Sequence, residues 1–138
     1  MTGKVVLITG AARRVGAALA MGLASDGWQL AIHHRSGAQE ASDLAEAVVA
    51  AGGVARTFAA DLSDPVQRSA LVPAVVQAFG RIDALINNAS MFAYDDLASL
   101  DDVLWQAHLA ANLTAPVFLI RDLARAVAVQ GGEGAVVN

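Results

Sequence analysis

The run Thr9-Gly10-Ala11-Ala12-Arg13-Arg14-Val15-Gly16 lies between an apolar segment, Val5–Ile8, and a stretch of helical periodicity. Gly10 permits a tight turn, and Gly16 lets a helix approach a strand. Free N–H groups and positive potential at the helix N-terminus then suit a pyrophosphate. The preceding strand and following helix give this otherwise weak pattern its weight; an ordinary strand-to-helix turn is the competing reading. His34-Arg35-Ser36 follows the second apolar run, and no carboxylate occurs between Asp26 and Glu40. An NAD site places a carboxylate there against the ribose 2′-hydroxyl. A guanidinium fork and a hydroxyl suit a 2′-phosphate instead, so the triplet points to NADP(H); a solvated polar loop is the alternative. Asn87-Asn88-Ala89-Ser90 closes a fourth apolar run, and its amides either fix backbone around a cofactor ribose or make a turn.

Other groups point away from chemistry. His33 and His34 are adjacent on a predicted strand and face opposite ways, which argues against a shared metal. Asp95-Asp96 and Asp101-Asp102 flank a helix start, where carboxylates cap and oppose the helix dipole. His108 has no second ligand in view and reads as a surface or core-edge residue. No metal site is expected.

An alternation of short apolar runs and helical periods must position these groups. Val5–Ile8 reads as a buried strand. Val15, Ala18, Leu19, Gly22 and Leu23 predict the inner face of a first helix, closed by Gly27 in a left-handed cap. Residues 29–33 predict a second strand. Leu44, Ala47, Val48 and Ala51 mark a second helix, stopped by Gly52-Gly53. Residues 54–59 form a third strand leading to Asp61-Leu62. Asp64-Pro65 with Gln67 predicts a capped third helix, kinked at Pro73. A fourth strand spans 84–87, and a fourth helical region starts near Leu100-Asp101 and bends around Pro116. Residues 135–137 open a fifth strand. Such alternation implies an α/β fold: a doubly wound parallel sheet of Rossmann type.

The 138 residues suit one domain. A hydrophobic content of 56% with 16% charged residues excludes disorder. The net charge of −4 argues against a nucleic-acid or anionic-membrane partner. No Cys is present, which removes disulfides, thiolate zinc sites and Cys nucleophiles. Uninterrupted apolar runs fall far short of the roughly 18 residues of a membrane span, and the first ten residues do not form a signal peptide. A cytoplasmic globular domain is expected. A fifth strand without a following helix leaves a bare apolar edge. On that ground 1–138 is expected to be the dinucleotide-binding part of one Rossmann-type domain whose C-terminal remainder is absent, the alternative being a protein that is naturally this short.

Thr9-Gly10…Gly16, Asp61-Leu62, Asn87-Asn88-Ala89-Ser90 and Asn112 occur in the order and spacing of the short-chain dehydrogenase/reductase family, which the whole chain resembles. The family glycine motif is TGxxxGxG, and Arg14 stands here at its middle Gly. That departure, with His34-Arg35-Ser36, Ser90 and Phe92, resembles the pteridine-reductase branch. The resemblance implies cofactor contacts from Gly10, Arg13, Arg14, Val15, Gly16, His34, Arg35, Ser36, Asp61, Leu62, Asn88, Ala89 and Ser90. It implies substrate contacts from Arg14, Ser90 and Phe92, whose ring would stack a flat substrate against nicotinamide. Asp61-Leu62 reads locally as a helix lead-in, and Phe92 as a loop aromatic packed on the core. Asn112 corresponds to the family residue that holds a water linked to a catalytic Lys.

Family catalysis uses a Tyr with a Lys four residues later. The one Tyr here is Tyr94, followed at that spacing by Ala98, and the only lysine is Lys4. The expected activity of the complete chain is NADP(H)-dependent hydride transfer to a C=O or C=N, with a pterin as the favoured substrate. A general carbonyl reductase and a non-catalytic nucleotide-binding module are the alternatives. Expected partners are a small-molecule substrate and, when complete, further copies of the chain.

Overall fold

The structure is a computed structural model and describes residues 3–138. Five strands form one parallel sheet in the order β3-β2-β1-β4-β5. They are β1 (Val5–Ile8), β2 (Gln29–His34), β3 (Ala55–Ala59), β4 (Ala84–Ile86) and β5 (Ala135–Val137). Helices α1 (Arg14–Ser25), α2 (Ala38–Ala50) and α3 (Pro65–Phe79) connect the first four strands. Between β4 and β5, α4 (Asp102–Leu109) passes through a π-helical turn, Ala110–Thr114, directly into α5 (Ala115–Gln130). This is the expected doubly wound α/β architecture.

Both faces of the sheet are covered, which explains why its central strands are apolar throughout rather than alternating. On β1, Val5 and Leu7 join one buried layer with residues of α3 and α5, including Leu71, Val75 and Leu119. Val6 and Ile8 join the opposite layer with Ala20 and Val48 from α1 and α2. The chain builds outward from β1 to β3, then returns to place β4 on the other side of β1. That reversal opens a crevice at the C-terminal ends of β1 and β4, where open α/β sheets take ligands.

Several local expectations shift. In α1 the buried residues are Gly16 and Ala20, whereas Val15 is 65% exposed and Leu19 also faces outward. Small residues face the sheet because they let the helix backbone approach it closely, and of the expected face only Leu23 packs against the core layer. In α2, Ala41 and Val48 are buried while Ala47 and Ala51 are exposed. Gly27 (φ 84°) closes α1 as expected: its N–H donates to the Ala24 carbonyl and that of Trp28 to the Leu23 carbonyl, which is the Schellman pattern.

Asp64 caps α3 by accepting from the N–H groups of Val66 and Gln67. Gln67 does not return to the Asp64 N–H; its Oε1 accepts from the Asp61 N–H at 2.8 Å. The helix is continuous past Pro73. The irregularity expected at Pro116 is the π turn just before it, since Pro116 has no N–H to return to the Asn112 carbonyl. By length and composition the combined α4–α5 helix is apolar enough to cross a membrane, but its Ala115, Leu119 and Leu123 lie in the core. β5 pairs with β4 through Ala84–Ala135 and Ile86–Val137, and its three residues are exposed.

Candidate functional site

Thr9 ends β1 and joins it to the end of β4. Its Oγ1 accepts from the N–H groups of Asn88 (3.0 Å) and Ala89 (2.9 Å). The Asn88 side chain donates in return to the carbonyls of Thr9 (2.9 Å) and Gly10 (3.1 Å). Asn88 is therefore a structural weld at the switch point. Gly10 has φ 61°, and a Cβ there would meet the Ala89 Cα at 3.0 Å. At Gly16 a Cβ would lie 2.6 Å from the Gly10 carbonyl. Close approach requires both glycines, and at Gly10 the positive φ requires one as well.

Helix α1 starts with no side-chain cap, so its first-turn N–H groups stay open towards the crevice. Arg14 is the non-glycine residue with positive φ (54°) among the described residues, a strained conformation of the kind that collects at functional sites. Arg13 forms a two-pronged ion pair with Glu40 in the first turn of α2. Backbone hydrogen bonding and the Arg13 guanidinium hold the Glu40 carboxyl below its usual range. In sequence Glu40 stood clear of the 34–36 triplet; the fold brings it to the neighbouring cation.

A cavity of about 820 Å³ opens on this region, within the size range of small-molecule sites. The glycine turn, the His34-Arg35-Ser36 triplet, Asp61-Leu62 and the segment from Asn88 to Phe92 all line it. Every residue expected to touch cofactor or substrate thus lines it, while Asn112, expected to act through a water, does not. Arg35 and Ser36 are exposed on the wall, while His34 is buried with its Nδ1 lacking any hydrogen-bond partner. Asp61 accepts from the Ser63 hydroxyl (2.6 Å) and N–H (2.9 Å). These bonds, with Arg35 nearby, keep its carboxyl below the usual range. Leu62 is buried in the core layer beneath.

Phe92 is 85% exposed on the cavity rim, so it is not packed on the core. The segment bearing it is pinned on both sides. Asn112 in the π turn exchanges two 2.8 Å bonds with the Met91 backbone, and His108 accepts from the Ala93 N–H at 3.2 Å. His108 therefore anchors a loop. Asp101 caps α4 through the Leu104 N–H, and Asp96 caps a turn through Ala98 and Ser99. No cluster of metal-ligating residues occurs among the described residues.

Sequence reasoning gave no separate role to Thr9 or Met91, whose hydrogen-bond partners Asn88, Ala89 and Asn112 lie far along the chain. A model of the short-chain dehydrogenase family matches residues 4–138. The chain belongs to that family.

This short-chain dehydrogenase chain is 36% identical to L-rhamnose 1-dehydrogenase (NAD(P)(+)) of Azotobacter vinelandii, over 97% of itself and 54% of the relative. It superimposes with a TM-score of 0.92 on FolM alternative dihydrofolate reductase 1 from Brucella suis in complex with NADP. That match has 38% identity and covers 98% of this chain and 56% of the other. A metagenomic short-chain oxidoreductase in complex with NADP matches at 0.89 with 35% identity, covering 99% and 61%. The chain spans about half the length of the curated relatives it matches.

Proposed function

We propose that residues 1–138 carry the dinucleotide-binding part of an NADP(H)-dependent short-chain reductase acting on a C=O or C=N. The observation that carries the cofactor reading is the wall formed by Arg35, Ser36 and the buried, unpartnered Nδ1 of His34. A buried polar atom without a partner is costly, and a 2′-phosphate supplies acceptors for a protonated or donor-tautomer imidazole, the guanidinium and the hydroxyl together. The uncapped start of α1 and the close-packed Gly10–Gly16 turn suit the pyrophosphate. NADP in two of the similar solved structures supports the same assignment.

When bound, the nicotinamide supplies the hydride. This chain's residues bind and orient: Gly10, Arg13, Arg14, Val15 and Gly16 at the phosphates, Asp61 and Leu62 at the adenine, Asn88, Ala89 and Ser90 along the ribose. Arg14, Ser90 and Phe92 face the substrate, and an exposed aromatic at the rim suits a flat heterocycle such as a pterin. Likeness to an alternative dihydrofolate reductase supports that substrate class; likeness to a sugar dehydrogenase favours a general carbonyl substrate as the second reading. The proton donor is assigned outside these residues, which hold no Tyr-x-x-x-Lys. Asn112 is proposed to support that donor, and the complete protein is proposed to act in the cytoplasm as a homo-oligomer.

Fluorescence titration of the full-length protein with both dinucleotides tests the cofactor reading. NADPH is expected to bind at least tenfold more tightly than NADH, about 1.4 kcal/mol. Equal affinities would overturn it.

A further inference from the structure

His33 lies beneath the phosphate turn, 2% exposed, and none of the roles assigned above uses it. Its Nδ1 is 3.1 Å from the Gly10 nitrogen, and its Nε2 is 3.0 Å from the Ala60 carbonyl oxygen. Both partners are backbone groups with fixed roles: Gly10 can only donate and Ala60 can only accept. The ring must therefore be neutral, bare at Nδ1 and protonated at Nε2. Its own carbonyl accepts from the Ala11 N–H at 2.9 Å, so the next residue of the turn hangs on the same histidine.

We infer that His33 is a positioning residue for the dinucleotide: as the neutral Nε2–H tautomer it holds the Gly10 turn in register with the end of β3. The turn has no tolerance to spare, since Gly10 abuts Ala89 and its carbonyl fills the space a Gly16 Cβ would need. A second proton would place two donors face to face at Gly10. Burial opposes that charge and holds the His33 pKa below the ordinary 6.5, and His34 lowers it further, against the Ala60 carbonyl and Asp61, which raise it. The cavity's cations near the turn, Arg13 and Arg14, add no stabilisation for a charged imidazole.

The inference rests on the dinucleotide reading above, and its test separates the two. In the full-length protein, His33→Phe keeps the ring but offers Gly10 no acceptor. It is expected to weaken NADPH and NADH alike by roughly tenfold, leaving their ratio unchanged, because the turn serves the pyrophosphate common to both. His33→Asn places an oxygen near the Nδ1 position and is expected to stay within about threefold of wild type. Imidazole 15N shifts of the wild type should show Nδ1 bare and Nε2 protonated at neutral pH. His33→Phe binding as tightly as wild type, His33→Asn losing tenfold or more, or a protonated Nδ1 would each overturn the role. Should His33→Phe not fold, His33→Asn and the spectrum decide. Failure of the wild type to bind either dinucleotide would instead remove the functional reading.

Discussion

Asn112 and Met91 exchange two hydrogen bonds across 21 residues: the Met91 N–H donates to Asn112 Oδ1, and Asn112 Nδ2 donates to the Met91 carbonyl, both at 2.8 Å. The clamp ties the π turn of the long helix to the residue before Phe92. Gln130, at the far end of the same helix, makes a matching pair of bonds with the Ile82 backbone ahead of β4. One helix thus fixes the chain on both sides of β4 through two side-chain amides.

Removing the first clamp should loosen the substrate wall more than the cofactor wall. Asn112→Ala is expected to lose both bonds, worth roughly 1–2 kcal/mol together at this exposed position. In the full-length protein KM for substrate should rise several-fold, while NADPH affinity moves less than threefold. Steady-state kinetics beside a cofactor titration would show this. Equal loss in both would place Asn112 in the general fold.

The exposed ring on the rim gives a second test. Phe92→Ala should weaken turnover of a dihydropterin by roughly 1–3 kcal/mol in kcat/KM, a magnitude taken from base–aromatic stacking, with cofactor affinity little changed. Arg14→Ala should weaken both, since Arg14 lines the same cavity as the glycine turn and Phe92. Kinetics with dihydrobiopterin and with a simple ketone distinguish the readings. Unchanged pterin kinetics in Phe92→Ala, with ketone reduction intact, would favour the general carbonyl substrate.

Two buried groups contribute to the acid limb of stability. His33 titrates lower folded than unfolded, chiefly through burial. Below pH 6.5 the unfolded chain therefore binds more protons, and stability falls as pH drops towards the folded value. Asp83 is also depressed: burial opposes this, but Arg81 and the Val5 N–H outweigh it. Its contribution is present above pH 3.8 and lost as pH falls through the lower folded value. Denaturation midpoints from pH 8 to 3 should decline in both windows, and His33→Asn should flatten the first. A flat wild-type profile between pH 6.5 and 5 would refute the His33 step.

Asp83→Ala should cost about 1.5–3 kcal/mol at neutral pH, because it removes the acceptor of the buried Val5 N–H and leaves Arg81 half-buried without its partner. Urea unfolding checks this. A change below 0.5 kcal/mol, within the range of ordinary surface substitutions, would mean that water replaces the carboxylate.

The architecture was legible in the residues themselves. Apolar runs such as Val5–Ile8 are buried on both sides, so their composition alone declares a covered parallel strand. Gly27 and Asp64 act within a few residues of themselves, and local stereochemistry decides them wherever the chain goes. The His34-Arg35-Ser36 wall was legible because it is one continuous run, beginning with the last residue of β2. Which face of α1 turns inward was not, because Gly16 and Ala20 are buried for their small size, and only the distance to the sheet makes smallness an asset. Glu40 meets Arg13 across 27 residues, Asn112 meets Met91 across 21, and His33 reads Gly10 on one side and Ala60 on the other. Those partners share no spacing that a sequence pattern could carry. Hydrogen bonds between distant backbone and side-chain atoms exist only once the strands have taken their order, so the tautomer of His33 and the clamp at Asn112 were decided by tertiary structure alone.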